Sequence, residues 1–197
     1  EEKMGKAANS SISLKQIHVT DNFWNKYVHL VKDVIIPYQW DILNDKLEDV
    51  ETSHCIENFK IAAGEKEGEF QGAVFQDTDV AKWLEAVGFV LNYERDEKLE
   101  ELADETIELI GRAQQPDGYL NTYFTIKEPD GRWSNLMEGH ELYTAGHMIE
   151  AAVAYYEATG KRRFLEIVSK FADLVCQTFG PEEGKIHGYP GHQEIEL

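Results

Sequence analysis

Histidines at helix starts are the first residues in this chain that could do chemistry. His140 opens the stretch 139-GHELYTAGHMIEAAVAYYEATG-160, which has helical periodicity, and Tyr143 and His147 follow on the same stripe. Seven residues of helix rise about 10.5 Å, so His140 and His147 cannot share one zinc ion at about 2 Å from each nitrogen. Hydrogen bonding is open to them, because a neutral imidazole offers one donor and one acceptor. His140 borders a loop and is placed to face a cavity. His147 precedes Ala151, Ala154 and Ala158, whose small side chains permit close helix packing, and it reads as a hydrogen-bonded core histidine. His192 repeats the address of His140: it follows the turn 188-GYPG-191 and begins what reads as another helix. Where the starts of inner helices meet at one mouth, two such imidazoles suit sugar hydroxyls; coincidental capping is the plainer alternative.

Asp77 and Asp79, in 75-FQDTDVAKW-83, stand at the start of a third such helix. Paired carboxylates do the acid/base work of glycoside hydrolysis. Asp is equally a favoured N-cap and complements the helix dipole, so capping by Asp77 or Thr78 competes with catalysis. Gln39, in 37-PYQW-40, is an amide among aromatics, either a ligand contact or a surface side chain. Cys55 and Cys176 form no paired metal spacing, and each reads as a buried, reduced thiol. No metal site within this chain is expected from these spacings.

The elements that must position these residues are helices. The stretch 22–45 has helical spacing, with Pro37 expected to kink or break it. Residues 55–64 read as a short helix ended by Gly64, and 64–76 as a loop. A helix with Trp83, Val87, Val90 and Leu91 inward starts near Asp77. Another spans about 96–114 with Leu99, Leu102, Ala103, Ile107 and Ile110 inward. The segment 116–138 reads as a loop. A final helix carries Phe164, Ile167, Val168, Phe171, Leu174 and Val175 on one face. The acidic runs 94–105 and 182–183 read as solvated faces. No strand alternation is visible. The stretches 83-WLEAVGFVLNYE-94 and 148-MIEAAVAYYE-157 resemble each other, and each leads through a turn into a second amphipathic helix. The result is a helical-hairpin repeat, as found in solenoids and closed rings.

Composition narrows the function. The 197 residues carry 37 acids against 19 bases, a net charge of −18, which disfavours nucleic acid and anionic membranes as partners. A hydrophobic share of 42% supports a sizeable core. No run approaches the roughly 20 apolar residues that span a bilayer. The opening EEKMGKAANSS shows no secretory signal, so a cytoplasmic location is favoured, although a removed leader stays open. Residues 1–11 read as disordered or tag-like.

Taken together, VIIPYQWDILND, FQDTDVAKWLEA, QQPDGYLNTYF, HELYTAGHMIEAAVAYYEATG and GYPGHQEIEL resemble the β-L-arabinofuranosidase family, glycoside hydrolase family 127, from about Ile12 to Leu197. The resemblance implies an all-α (α/α)6 barrel, of the six-hairpin glycosidase type, with further β-sandwich domains in proteins about three times this length. On that basis residues 12–197 form about half of the barrel, cut short at the C-terminus. The implied activity is that of retaining exo-enzymes releasing L-arabinofuranose, with a cysteine nucleophile held on zinc and a glutamate acid/base. None of those catalytic residues has a counterpart here, so this chain alone is expected to be inactive and without a cofactor of its own, with zinc expected in the full-length protein. The residues that carry over are His140 and His192, which match sugar-contacting histidines, and, less closely, Gln39; Asp79 and Tyr143 complete the expected cradle for a carbohydrate substrate. Self-association through the open face of a half-barrel is a further expectation. Two alternatives remain: another six-hairpin glycosidase, such as an unsaturated uronyl hydrolase using Asp77 or Asp79, and a non-catalytic helical-repeat binding module.

Overall fold

The computed structural model describes residues 12–196; the expectation for residues 1–11 lies outside the described residues. Helix α1 (Asn22–Leu30) starts where the Asp21 carboxylate accepts the amides of Phe23 and Trp24 at 3.0 and 2.8 Å. Pro37 does not break the chain. The backbone passes through one π-helical turn (Val31–Ile35) into α2 (Ile36–Leu43), with Pro37 in the first turn of α2. The helix is continuous there, with the Ile36 amide bonded to the Val31 carbonyl, and the widened turn just ahead of Pro37 gives room for its ring.

Helix α3 (Cys55–Ala62) ends as expected just before Gly64, whose φ of 71° suits a residue without a Cβ. Next come α4 (Asp77–Tyr93) and α5 (Glu97–Ala113), the latter capped by Asp96. The segment 116–138 is not all loop. It holds the short helix α6 (Thr122–Ile126), capped by Asn121 through the Phe124 amide at 3.1 Å. Five residues are too few to show a period, which is why spacing missed it. Helix α7 (Glu141–Thr159) ends at Gly160, φ 75°, and α8 (Arg163–Thr178) follows. Among the described residues there is one isolated bridge, Phe179 with Ile186, and no named strand. The fold is all-α.

Two hairpins, α4–α5 and α7–α8, form the repeat. Their first helices press together: a Cβ on Gly88 would lie 2.8 Å from the carbonyl carbon of Ala154. Trp83, Leu84, Val87, Met148, Ala151 and Tyr155 fill the seam and are buried. Burying Leu84, Val87 or Met148 contributes about 1.5–3 kcal/mol each. Ile107, Ile110, Ile167 and Phe171 pack the second helices against them, and Trp83 ties α2 to α4 by donating Nε1–H to the Ile36 carbonyl at 3.1 Å. No helix among the described residues is long and apolar enough to cross a membrane.

Two further expectations need correction. Cys55 is buried, but Cys176 is exposed, because α8 turns that face to solvent beyond Phe171. The acidic run is not wholly solvated: Asp104 accepts the Tyr155 hydroxyl at 2.7 Å and, with Glu100, pairs with Lys161.

Candidate functional site

The starts of α4 and α7 lie at the same end of the pair. Lys82, in the second turn of α4, donates to the Tyr143 hydroxyl in the first turn of α7 at 3.1 Å. The chain after α8 returns to this end. A 3-10 turn (Gln193–Glu196), rather than a developed α-helix among the described residues, lies on α7, and a Cβ on Gly146 would meet the Glu194 backbone at 2.6 Å. This return brings His192 to His140, ring centroids 5.1 Å apart, and to Tyr143 at 5.0 Å. Phe75 flanks His140 from the other side, also at 5.1 Å.

His140 is held in a defined state. Its backbone is left-handed, φ 54° and ψ 20°, a conformation that costs a non-glycine residue on the order of 1 kcal/mol and needs surrounding support. The support comes from the next residue. The buried Glu141 carboxylate accepts the Tyr119 hydroxyl and, at 2.7 Å, the Trp133 amide. Nδ1 of His140 lies 2.6 Å from the Glu138 carbonyl oxygen. A carbonyl only accepts, so Nδ1 carries the proton, and in the neutral ring Nε2 is left as an acceptor.

Beside these rings opens a cavity of about 810 Å³ whose lining includes Gln39, Ser53, Gln76, Asp79, Lys82 and Trp83. Asp79 accepts from the Gln76 amide at 2.8 Å. Burial pushes its carboxyl above the usual range, while Lys82 pulls it back. Lys82 both lines the cavity and bonds Tyr143, so it links the cavity wall to the ring cluster. Gln39 and Asp79 line the cavity, whereas His140, Tyr143 and His192 form the ring cluster and are not in its lining.

Asp77 is not among them. It is 2% exposed, does not line the cavity, and accepts the Thr122 amide at 2.7 Å and the Thr122 hydroxyl. Nor does it cap α4: the N-cap position is Gln76, without a capping bond, and the Thr78 hydroxyl donates to the Phe75 carbonyl at 2.9 Å. Asp77 instead fastens α4 to α6. Burial raises its carboxyl to about 6, against the two Thr122 hydrogen bonds that lower it. His147 is also corrected: its ring nitrogens are buried, but neither has a hydrogen-bond partner.

Sequence reasoning missed Phe75 and Lys82. The available signal was helical spacing, since Asp79, Lys82, Trp83 and Ala86 occupy one face of α4 and all line the cavity. Cys55 lies buried against the Gln76 carbonyl at 3.3 Å, and Cys176 is exposed; neither joins a group of metal-ligating side chains among the described residues. The cysteine–zinc centre implied by the family resemblance does not fit this chain's residues.

Comparison with known proteins shows the family. The family described as "Beta-L-arabinofuranosidase, GH127 catalytic domain" matches residues 16–197. The chain belongs to glycoside hydrolase family 127. It is 45% identical, over 92% of its length, to a non-reducing end β-L-arabinofuranosidase of Bifidobacterium longum subsp. longum, of which it covers 30%. A crystal structure of a GH127 β-L-arabinofuranosidase from Geobacillus stearothermophilus T6 superposes with a TM-score of 0.90 at 64% identity, over 91% of this chain and 28% of that one. A GH127 β-arabinofuranosidase structure gives a TM-score of 0.85 at 36% identity, over 94% of this chain and 30% of that one. The chain thus spans less than a third of the length of each of these family members.

Proposed function

We propose that these residues form the N-terminal portion of the (α/α)6 catalytic barrel of a retaining exo-glycoside hydrolase that releases L-arabinofuranose from β-L-arabinofuranosides of plant glycans. In this reading the chain supplies the sugar cradle: His140, Tyr143 and His192 at the rim, Gln39 and Asp79 in the adjoining cavity. The cysteine nucleophile, its zinc ion and the glutamate acid/base belong to residues beyond this chain. The observation that carries the reading is the convergence of His140 and His192, ring centroids 5.1 Å apart, beside a cavity with amide, carboxylate and ammonium groups in its wall. Such a wall offers donors and acceptors for several hydroxyls of one small sugar. Asp77 does not line the cavity and is held by Thr122, which counts against its use as an acid in a uronyl hydrolase; Asp79 lines the cavity, so the assay has to separate the two readings. The test is an assay of the natural-length protein with an aryl β-L-arabinofuranoside and an unsaturated uronide. Release of L-arabinose is expected; turnover of the uronide alone would overturn the reading.

A further inference from the structure

One turn along α7 from Tyr143, whose ring the His147 imidazole meets edge-on at 4.5 Å, lies a second group of side chains. Nδ1 of His147 lies 2.8 Å from Glu194 Oε1 and 3.7 Å from Glu150 Oε2. Ligand atoms of all three residues lie within 4.8 Å of one another. Both ring nitrogens of His147 and Oε1 of Glu194 are shut off from solvent, and none has a hydrogen-bond partner. An approach of 2.8 Å without a hydrogen bond means the oxygen stands off the axis along which an imidazole nitrogen gives or receives a proton. A bridging cation would also hold the oxygen off that axis, and ligand atoms this close suit the roughly 90° angles of an octahedral site. With metal–ligand bonds of about 2.1 Å, the cation lies on the nitrogen's axis and the oxygen roughly 45–50° away from it.

We propose that His147, Glu150 and Glu194 bind a divalent first-row cation, zinc or manganese, that pins the 193–196 turn to α7. One imidazole and two carboxylates form a mixed nitrogen–oxygen donor set that suits either ion, and three protein ligands leave room for water. His147 and Glu150 stand three residues apart, on one face of α7. Glu194 arrives from the chain beyond α8, and Gly146 makes room for its backbone. The electrostatics agree. Burial and Glu150 push the Glu194 carboxyl up to about 7, with Glu85 adding to the shift and Lys82 opposing it. Burial and Lys82 hold His147 below its usual range, toward the neutral ring that a metal binds. A cation relieves the repulsion between the two carboxylates. Lys82 does not fill that role in the structure: its ammonium is spent on the Tyr143 and Thr78 hydroxyls, at 3.1 and 3.3 Å. The sequence expectation of no metal site rested on histidine and cysteine spacings. The ligands here are a His-x-x-Glu pair and a glutamate from a distant segment, which only folding brings together.

The turn that the cation pins follows directly on His192, so the site fixes the backbone that presents this imidazole to His140. The test uses the natural-length protein, stripped with a chelator and titrated with Mn2+ while free Mn2+ is followed by electron paramagnetic resonance. Manganese is chosen because a thiolate-rich zinc centre holds it weakly. One Mn2+ per chain is expected, with binding weakened at least about a hundredfold in Glu194→Gln, more than losing an outer-shell partner costs. Glu150→Gln should weaken it likewise, and decides the matter if Glu194→Gln fails to fold. The proposal is overturned if the wild type takes up no Mn2+, or if the folded variants bind it as the wild type does. A higher melting temperature in Glu194→Gln without Mn2+ uptake by the wild type would mean that the carboxylates share a proton instead.

Discussion

The imidazoles of His140 and His192 face each other at 5.1 Å although the whole of α7 and α8 separates them in the chain. Neither ring lies in the hydrophobic core: His140 is half-buried with Nδ1 tied to the Glu138 carbonyl, and His192 is exposed. Removing either should therefore cost binding rather than stability. In the natural-length enzyme, His140→Ala or His192→Ala is expected to lower kcat/KM by about 1–3 kcal/mol, the loss of a buried sugar hydrogen bond, with the melting temperature nearly unchanged. His147→Ala should do the reverse, lowering the melting temperature more than the rate. Steady-state kinetics and thermal melts of the three variants check this; a folded His147→Ala without activity beside an active His140→Ala would reverse the assignment.

Gly88 is where helix propensity and packing disagree. Alanine in an α-helix is favoured over glycine by about 1 kcal/mol, so propensity alone says Gly88→Ala stabilises α4. The added Cβ would lie 2.8 Å from the Ala154 carbonyl carbon and 2.9 Å from the Tyr155 nitrogen, both backbone atoms of α7 that cannot step aside. The substitution is expected to destabilise by about 1–3 kcal/mol net, measured by urea unfolding. An unchanged or raised midpoint would show that the two helices can separate at little cost.

Much of this scaffold was legible in the sequence because long helices repeat their apolar positions often enough to declare a period. The faces of α4, α5, α7 and α8 came out as read, including Trp83, Ile107, Ile110 and Phe171. What was not legible was short or long-range. Helix α6 has five residues, and the π turn before Pro37 is an alternative hydrogen-bonding pattern that composition does not announce. Asp77 looked like a cap because caps are local, whereas its partner Thr122 lies in another element. His140 and His192 were legible through their repeated address after a turn. Lys82 and Glu194 were not, since each matters only through a residue on a different segment.

Asp77 should leave a pH signature. Its folded carboxyl stands at about 6, above its ordinary 3.8, so the folded state holds a proton that the unfolded chain releases across that window. The sign follows: a raised carboxyl costs stability when ionised, and this cost disappears as pH falls from about 6 toward 4. Asp77→Asn has no such cost. The unfolding free energy of the wild type minus that of Asp77→Asn is expected to rise by about 2.4 kcal/mol between pH 7 and pH 4, at 1.36 kcal/mol per unit and with part of the shift still unrecovered at pH 4. Taking the difference cancels the other acids. A flat difference would mean that the Thr122 hydrogen bonds hold Asp77 ionised throughout.

The last prediction concerns α1 and the groove beside it. Phe23, Trp24 and Tyr27 are 54%, 61% and 44% exposed, and Phe89 on α4 is 49% exposed. The three α1 rings touch one another, with centroids 5.1 to 6.0 Å apart, so they form one patch and not scattered residues. Val19, Trp24, Tyr27, Val28, Val31, Ala86, Phe89 and Val90 line a groove of about 460 Å³ that continues it. Contiguous apolar surface of this kind is unusual on a soluble monomer and marks a surface that packs against something. In the 197-residue chain by itself, the available partner is a second copy, and burying apolar area gains roughly 25 cal/mol per Å² against the entropy of association. The net charge of −18 opposes association, so added salt should strengthen it by screening the repulsion. Sedimentation velocity at rising concentration is expected to show dimers or larger species that dissociate when Trp24 and Phe89 are both changed to Lys. A monomer at every concentration and salt, with no binding of an apolar dye, would mean that the patch is not adhesive and that α1 tolerates its exposure.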